Sequence, residues 1–150
     1  MEPTLSMEIK RLRPGAETLA RDAVAVFGST NADIKRMAYL LGRDDCFFLV
    51  AVEASQAIGF LLAYEFQGTD TDVPAMFLSE IGVAATRRRH GIARALVNQL
   101  KAICRKRGTT KVLAVANEAD EPATKFLEAT GARRDGKGDA LFVYNRNALE

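Results

Sequence analysis

The stretch from Met76 to Arg107, MFLSEIGVAATRRRHGIARALVNQLKAICRKR, constrains this chain more than any other. Its apolar start runs into Glu80-Ile81-Gly82-Val83 and reads as a buried or half-buried strand. A basic turn follows. From there Ile92, Ala93, Leu96, Val97, Leu100, Ile103 and Cys104 recur at the spacing of one helical face, so the unit is strand, tight turn, helix.

The first turn of a helix carries backbone N–H groups without intrahelical partners at the positive end of the helix dipole, which suits an anion, phosphate above all. Gly91 has no Cβ and Ala93 only a methyl, so a diphosphate can approach the main chain. Arg87, Arg88 and Arg89 add charge and bidentate donors. The turn is neither GxxxxGK[ST] nor GxGxxG, because it holds a single glycine. A diphosphate held without those loops points to coenzyme A.

Arg88-Arg89-His90-Gly91-Ile92-Ala93 resembles the R/Q-x-x-G-x-G/A signature of the GCN5-related N-acetyltransferases, which hold the coenzyme A pyrophosphate on the amides of this turn. The preceding strand, the helix, the next strand from Lys111 and the Asn117-to-Gly131 segment follow in the family's order. The resemblance implies one α/β (α+β) domain over residues 1–150. Its centre would be a mixed, mostly antiparallel sheet of about seven strands, with one splayed parallel pair and about four helices. Within the family the chain is most similar to the aminoglycoside 3-N-acetyltransferases of the gentamicin-resistance type. The matching features are Val26-Phe27-Gly28, Gly59 through Tyr64, Glu80 where that group has an aspartate, Arg88 to Ala93, and Asp120-Glu121-Pro122-Ala123.

Bulk properties narrow the class. A chain of 150 residues is expected to form one domain, burying roughly two thirds of its unfolded surface. With 48% hydrophobic and 27% charged residues it has the balance of an ordinary globule, and its longest apolar run, Cys46 to Val52, is too short to span a bilayer. Met1-Glu2-Pro3-Thr4 shows no basic segment followed by an apolar one, so no signal peptide is expected and the expected location is cytoplasmic. A net charge of +2 does not call for a nucleic acid or a membrane as partner. His90 is the sole histidine and Cys46 and Cys104 form no CxxC pair, which argues against a metal site or a Cys-His nucleophile. Each cysteine reads as a small core residue.

Around the central unit, Met7 to Leu12 reads as a short strand ended by Pro14-Gly15. Leu19, Ala20, Ala23, Val24 and Phe27 repeat at helical spacing up to Gly28. Ser29-Thr30-Asn31 offers caps for a second helix, whose buried face is Ile34, Met37, Ala38 and Leu41. Cys46 to Val52 and Ala57 to Phe66 are expected to form a hairpin across Glu53-Ala54-Ser55-Gln56, with Met76 to Val83 returning antiparallel after the acidic loop Gln67 to Pro74. The long helix ends in Arg105-Lys106-Arg107-Gly108, and its crossover makes Lys111 to Ala116 a parallel strand. Asn117 to Pro122 turns into a last helix stopped by Gly131. Arg133-Arg134 and Ala140 to Tyr144 read as a final hairpin around Gly136-Lys137-Gly138-Asp139.

The resemblance also implies a site. In the family the pantetheine arm pairs like an added strand with a bulged strand, and here the bulge is expected near Ile81-Gly82-Val83, where Gly82 suits a bulge or close ligand approach. These three, with Arg88, Arg89, His90, Gly91, Ile92, Ala93 and Asn117, are the implied acetyl-coenzyme A residues. Glu80 and Asn117 are the catalytic candidates. A carboxylate at Glu80 can bind the acceptor's ammonium, orient it and accept its proton, work typically worth ~100-fold to 10,000-fold in rate. Asn117 either binds pantetheine or substrate, or caps the following turn. The family's thiolate-protonating tyrosine position is held by Leu127, leaving that proton to water or another residue such as Tyr144. Tyr64, Asp70, Asp72, Glu80, Glu118, Asp120 and Glu121 are the implied substrate-side residues, suited to a polycationic small molecule. Asp70 and Asp72 equally suit a solvated turn, and Asp120 and Glu121 a helix N-terminus. The implied activity is direct acetyl transfer in a ternary complex to an aminoglycoside, at its 3-amino group, by a homodimer. Another amine acceptor (polyamine, metabolite or protein) and a non-catalytic coenzyme A-binding module are the alternatives.

Overall fold

Seven of the eight residues of Cys46–Glu53 are buried, the pattern of a strand covered on both faces. The computed structural model describes residues 7–29, 31–69, 72–134 and 142–149, which fall into two compact units, residues 1–115 and residues 116–150. In the first unit the chain runs β1 (Glu8–Arg11), α1 (Glu17–Ala25), α2 (Ile34–Leu41), β2 (Cys46–Glu53), β3 (Gln56–Phe66), β4 (Ala75–Val83), α3 (Ile92–Arg107) and β5 (Lys111–Ala114). The strands form one sheet in the order β1-β2-β3-β4-β5. The first three pairings are antiparallel, and β4 with β5 is parallel because α3 carries the chain across between them.

Strand parity explains the layering. Cys46, Phe48, Val50 and Val52 of β2 and Phe60 and Leu62 of β3 join Ala20 and Ala23 of α1 and Met37 and Leu41 of α2 in one core cluster. The alternate residues Phe47, Leu49, Leu61 and Ala63 are fully buried on the other face, where α3 lies. A Cβ on Gly59 would come within 3.0 Å of Ile92 Cγ2 and 3.4 Å of Leu96 Cδ1, so this glycine lets α3 approach the sheet. Cys46 and Cys104 are both buried and free, as their core reading requires.

Some expectations are corrected. The cap of α2 is Asp33, whose carboxylate accepts from the Arg36 amide at 2.7 Å, rather than a residue of the 29–31 segment, of which Thr30 lies outside the described residues. The described residues contain five strands instead of about seven. Arg133 and Arg134 are irregular, and the Arg134 guanidinium pairs with Glu118 at 3.2 Å and Glu128 at 3.8 Å. The turn at 136–139 lies outside the described residues, and Phe142, Val143 and Tyr144 are irregular and exposed. In the second unit α4 (Glu121–Ala129) starts at Asp120, whose side chain accepts from the Ala123 amide, with Pro122 in its first turn.

Candidate active site

The site begins with an irregularity in β4. Across the β3–β4 ladder Leu62 faces Glu80 but Ala63 faces Leu78, so Ser79 is an extra residue. A bulge of this kind exchanges the faces of everything beyond it. Met76 and Leu78 are opposite Glu65 and Ala63 on the α3 face, whereas Glu80 and Gly82 are opposite Leu62 and Phe60 on the face covered by α1 and α2. Were Ser79 held in regular register opposite Leu62, Glu80 would fall opposite Leu61 and its carboxylate would point toward α3. The bulge therefore lies at Ser79, ahead of the expected Ile81-Gly82-Val83, and its signal is readable: the apolar residues change phase from Met76 and Leu78 to Ile81 and Val83.

Gly82 is also small for a different reason than expected. A Cβ there would fall 2.8–3.0 Å from Phe27 Cε1, Cδ1 and Cζ. The Phe27 ring lies across the strand beside Phe60, with centroids 5.1 Å apart. Gly82 thus accommodates the α1–α2 junction.

On this face a cavity of about 130 Å³ opens between sheet and helices. Val24, Met37, Leu40 and Phe60 give it an apolar wall, and its charged lining is Arg36 and Glu80. Glu80 is exposed at the rim. Tyr64, on the same face, is half-buried, and its phenol is pushed above the usual range by burial first and then by negative charge at Cys46 and Glu80.

The second part of the site is an open strand edge. β5 pairs with Ala75 to Leu78 only, the first four of β4's nine residues, and its ladder stops where the bulge begins. From Ser79 to Val83 the edge of β4 turned from β3 has no ladder to β5. Such an edge accepts an extended chain as an added strand.

The third part is the basic turn. Arg88 is extended, Arg89 and Gly91 adopt φ of 70° and 76°, and Gly91 starts α3 without a side-chain cap. A Cβ on Gly91 would meet nothing within 4 Å, so glycine is present for its left-handed backbone and the space above it is open. Arg88, Arg89 and His90 are exposed, and among the described residues their side chains form no ion pair. Arg87 differs: its guanidinium meets the Glu53 carboxylate at 2.6 Å. Open space, uncapped amides, unpaired guanidiniums and an open strand edge together fit the diphosphate and extended arm of coenzyme A. When bound, that carrier supplies an acetyl group activated as a thioester.

The remaining candidates are dispersed. Asp72 is exposed in the β3–β4 loop, and Asp70 lies outside the described residues. Asn117, Glu118, Asp120 and Glu121 belong to the second unit. There the Asn117 side-chain oxygen accepts from the Ala119 amide at 2.8 Å, so it shapes the turn. Glu118 pairs with Arg134, Asp120 caps α4, and Glu121 pairs with Lys125 at 2.8 Å. Leu127 is half-buried in α4, and Tyr144 is 75% exposed. Sequence reasoning missed Ser79, Arg36 and Glu53; only Ser79 left a signal in the pattern.

The one parallel pair of the sheet is laddered over four residues only, and the helix that crosses between its strands begins at an exposed basic turn. The model of the Acetyltransferase (GNAT) family matches residues 16–132, and the chain belongs to this family, which uses acetyl-coenzyme A. Among solved structures, an aminoglycoside acetyltransferase from an uncultured soil metagenomic sample is 26% identical with a TM-score of 0.75, over 93% of this chain and 99% of that one. The aminoglycoside N-acetyltransferase AAC(6')-Iy in complex with CoA is 19% identical with a TM-score of 0.80, over 97% and 99%. A ribosomal-protein-alanine N-acetyltransferase from Brucella melitensis biovar Abortus 2308 is 21% identical with a TM-score of 0.75, over 92% and 99%. No curated protein matches the chain significantly in sequence. Among the described residues no helix is long and apolar enough to cross a membrane.

Proposed function

We propose that residues 1–150 act as one acetyltransferase domain, within a homodimer, that transfers the acetyl group of acetyl-coenzyme A to an amine of an aminoglycoside, at its 3-amino group. One observation carries the reading: the Ser79 bulge turns the Glu80 carboxylate to the cavity face at the point where β4 parts from β5. On this reading Arg88, Arg89 and the amides from His90 to Ala93 hold the diphosphate, and the edge from Ile81 to Val83 holds the pantetheine arm. Asp72, in the β3–β4 loop, adds a carboxylate on the acceptor side.

The chemistry asked of this chain is proton handling. An amine reaches the cavity mostly as ammonium, and Glu80 binds it, aligns it and takes its proton at a carboxylate oxygen. Transfer is direct, with donor and acceptor bound together. Both cysteines favour this, since burial holds the Cys46 thiol up at about 11 and raises that of Cys104, leaving little thiolate to act as an acyl relay. Leu127 has no proton to give, so water protonates the leaving sulfur.

A second reading keeps the reaction and changes the acceptor to a polyamine, metabolite or protein amine. It is favoured by the cavity lining, which is mostly apolar and includes Arg36 and a single acidic residue, Glu80. A polycation gains less from such a wall than an acceptor with one ammonium.

The test is thiol release from acetyl-coenzyme A with a panel of gentamicin, other aminoglycosides, polyamines and peptide amines, followed by NMR of the product. A 3-N-acetylated aminoglycoside is the expected product. Absence of aminoglycoside acetylation at saturating acetyl-coenzyme A, with another amine consumed, transfers the assignment to the second reading. Glu80→Gln is expected to lower kcat by roughly 100-fold or more while leaving coenzyme A affinity nearly unchanged.

A further inference from the structure

The hairpin joining β2 to β3 closes through Glu53 opposite Gln56, with Ala54 and Ser55 at φ of 51° and 65°. This tight turn directs Glu53 toward the segment that leads into the basic turn. The Glu53 side chain is only 13% exposed, and its Oε1 lies 2.6 Å from a nitrogen of the Arg87 guanidinium. Arg87 is the last residue of the short helical turn Ala85–Arg87, which the Ala84 amide fastens to the Ile58 carbonyl at 2.9 Å. The segment before the anion-receiving turn is thus tied to the hairpin at two points.

Residues 88–91 have no comparable support. Among the described residues the side chains of Arg88, Arg89 and His90 make no hydrogen bond or ion pair, and Gly91 has open space above it. The other fixed end of the turn is Ile92, buried at 4% exposure. Two left-handed residues between two anchors hold their amides in one arrangement only while both anchors hold.

We propose that Glu53 is a positioning residue for the coenzyme A diphosphate. It acts through Arg87, which serves as a tether rather than as a phosphate ligand. The proposal rests on the reading that the 88–93 turn takes the diphosphate, and it is independent of the acceptor's identity. A half-buried, charge-assisted pair loses its geometry when one partner becomes neutral, and the misplacement reaches every amide that follows.

The test compares affinity for coenzyme A, by titration calorimetry, with affinity for pantetheine, which lacks the phosphates, by competition. Thermal melts monitor folding of each variant. Glu53→Gln is expected to weaken coenzyme A about tenfold, the loss expected for one charge-assisted hydrogen bond, and to change pantetheine less than about twofold. Glu53→Asp is expected to recover part of the loss. The exchanged pair Glu53→Arg with Arg87→Glu is expected to restore coenzyme A affinity to within about threefold, because a tether works with either polarity. If Arg87 binds phosphate itself, Glu53→Gln leaves coenzyme A binding unchanged or tighter and the exchanged pair abolishes it; either result overturns the proposal. Equal weakening of both ligands overturns it as well, since that marks a general structural role. A wild-type protein that holds coenzyme A no better than pantetheine instead removes the reading of the turn itself.

Discussion

Two residues decide what the cleft face of β4 looks like, and one of them works by what it lacks. Gly82 has no side chain, and a methyl there would meet the Phe27 ring at 2.8–3.0 Å. Gly82→Ala is expected to destabilise the fold by about 1–3 kcal/mol as the ring is displaced from Phe60. Phe27→Leu in the same chain should recover part of that, giving a coupling readable in urea unfolding of the two single variants and the double variant. Glu80 was legible as the catalytic candidate from its place before the basic turn. The partner of Gly82 was not, because Phe27 lies far away in sequence and nothing in a glycine names what fills its space. Asp120 and Asn117 show the opposite case, since their local roles, a helix cap and a turn, are those their residue types favour.

At the scale of elements, strands and helices were readable wherever apolar spacing was regular. The runs at 46–52, 57–66 and 76–83 and the helical face from Ile92 to Cys104 all appear within a residue or so of their expected limits. Two features were less visible. The bulge was placed too late in the strand, although the phase change between Leu78 and Ile81 marks it. The β2–β3 turn uses Ala54 and Ser55 in left-handed conformations that Asn and Gly adopt with less strain. Ala54→Asn with Ser55→Gly is therefore expected to stabilise the protein by about 1 kcal/mol and raise Tm by a few degrees, as calorimetry would show. Coenzyme A affinity should stay unchanged, because Glu53 keeps its place.

For the molecule as a whole, pH sets a window. The Arg43 and Arg107 guanidiniums hold the Asp45 and Glu65 carboxyls below their ordinary values of 3.8 and 4.5. Groups shifted down stabilise the fold above those values, and the contribution is lost as pH falls through the lowered ones. Cys46 is shifted the other way, from 9.0 to about 11, chiefly by burial, and Tyr64 is raised too. Their contribution is intact below pH 9 and disappears as pH rises toward 11. Cys46 alone accounts for about 3 kcal/mol of that loss. Stability is expected to be flat from about pH 5 to 9 and to fall on both sides, measured by urea unfolding across pH, with Cys46→Ala making the alkaline arm shallower. Whole-chain composition announced a globule with a sizeable core, but it held no sign of which faces α1, α2 and α3 would cover, because layering depends on strand parity and pairing order.

The extra residue at position 79 has a genetic consequence. Removing its codon keeps the reading frame and leaves Glu80, Ile81, Gly82 and Val83 opposite the same residues of β3 and on the same faces, because the deletion takes out only the residue that the bulge accommodates. The strand can thus lose a residue at this one position without turning a side chain over, a heritable tolerance that a tally of point substitutions would never register.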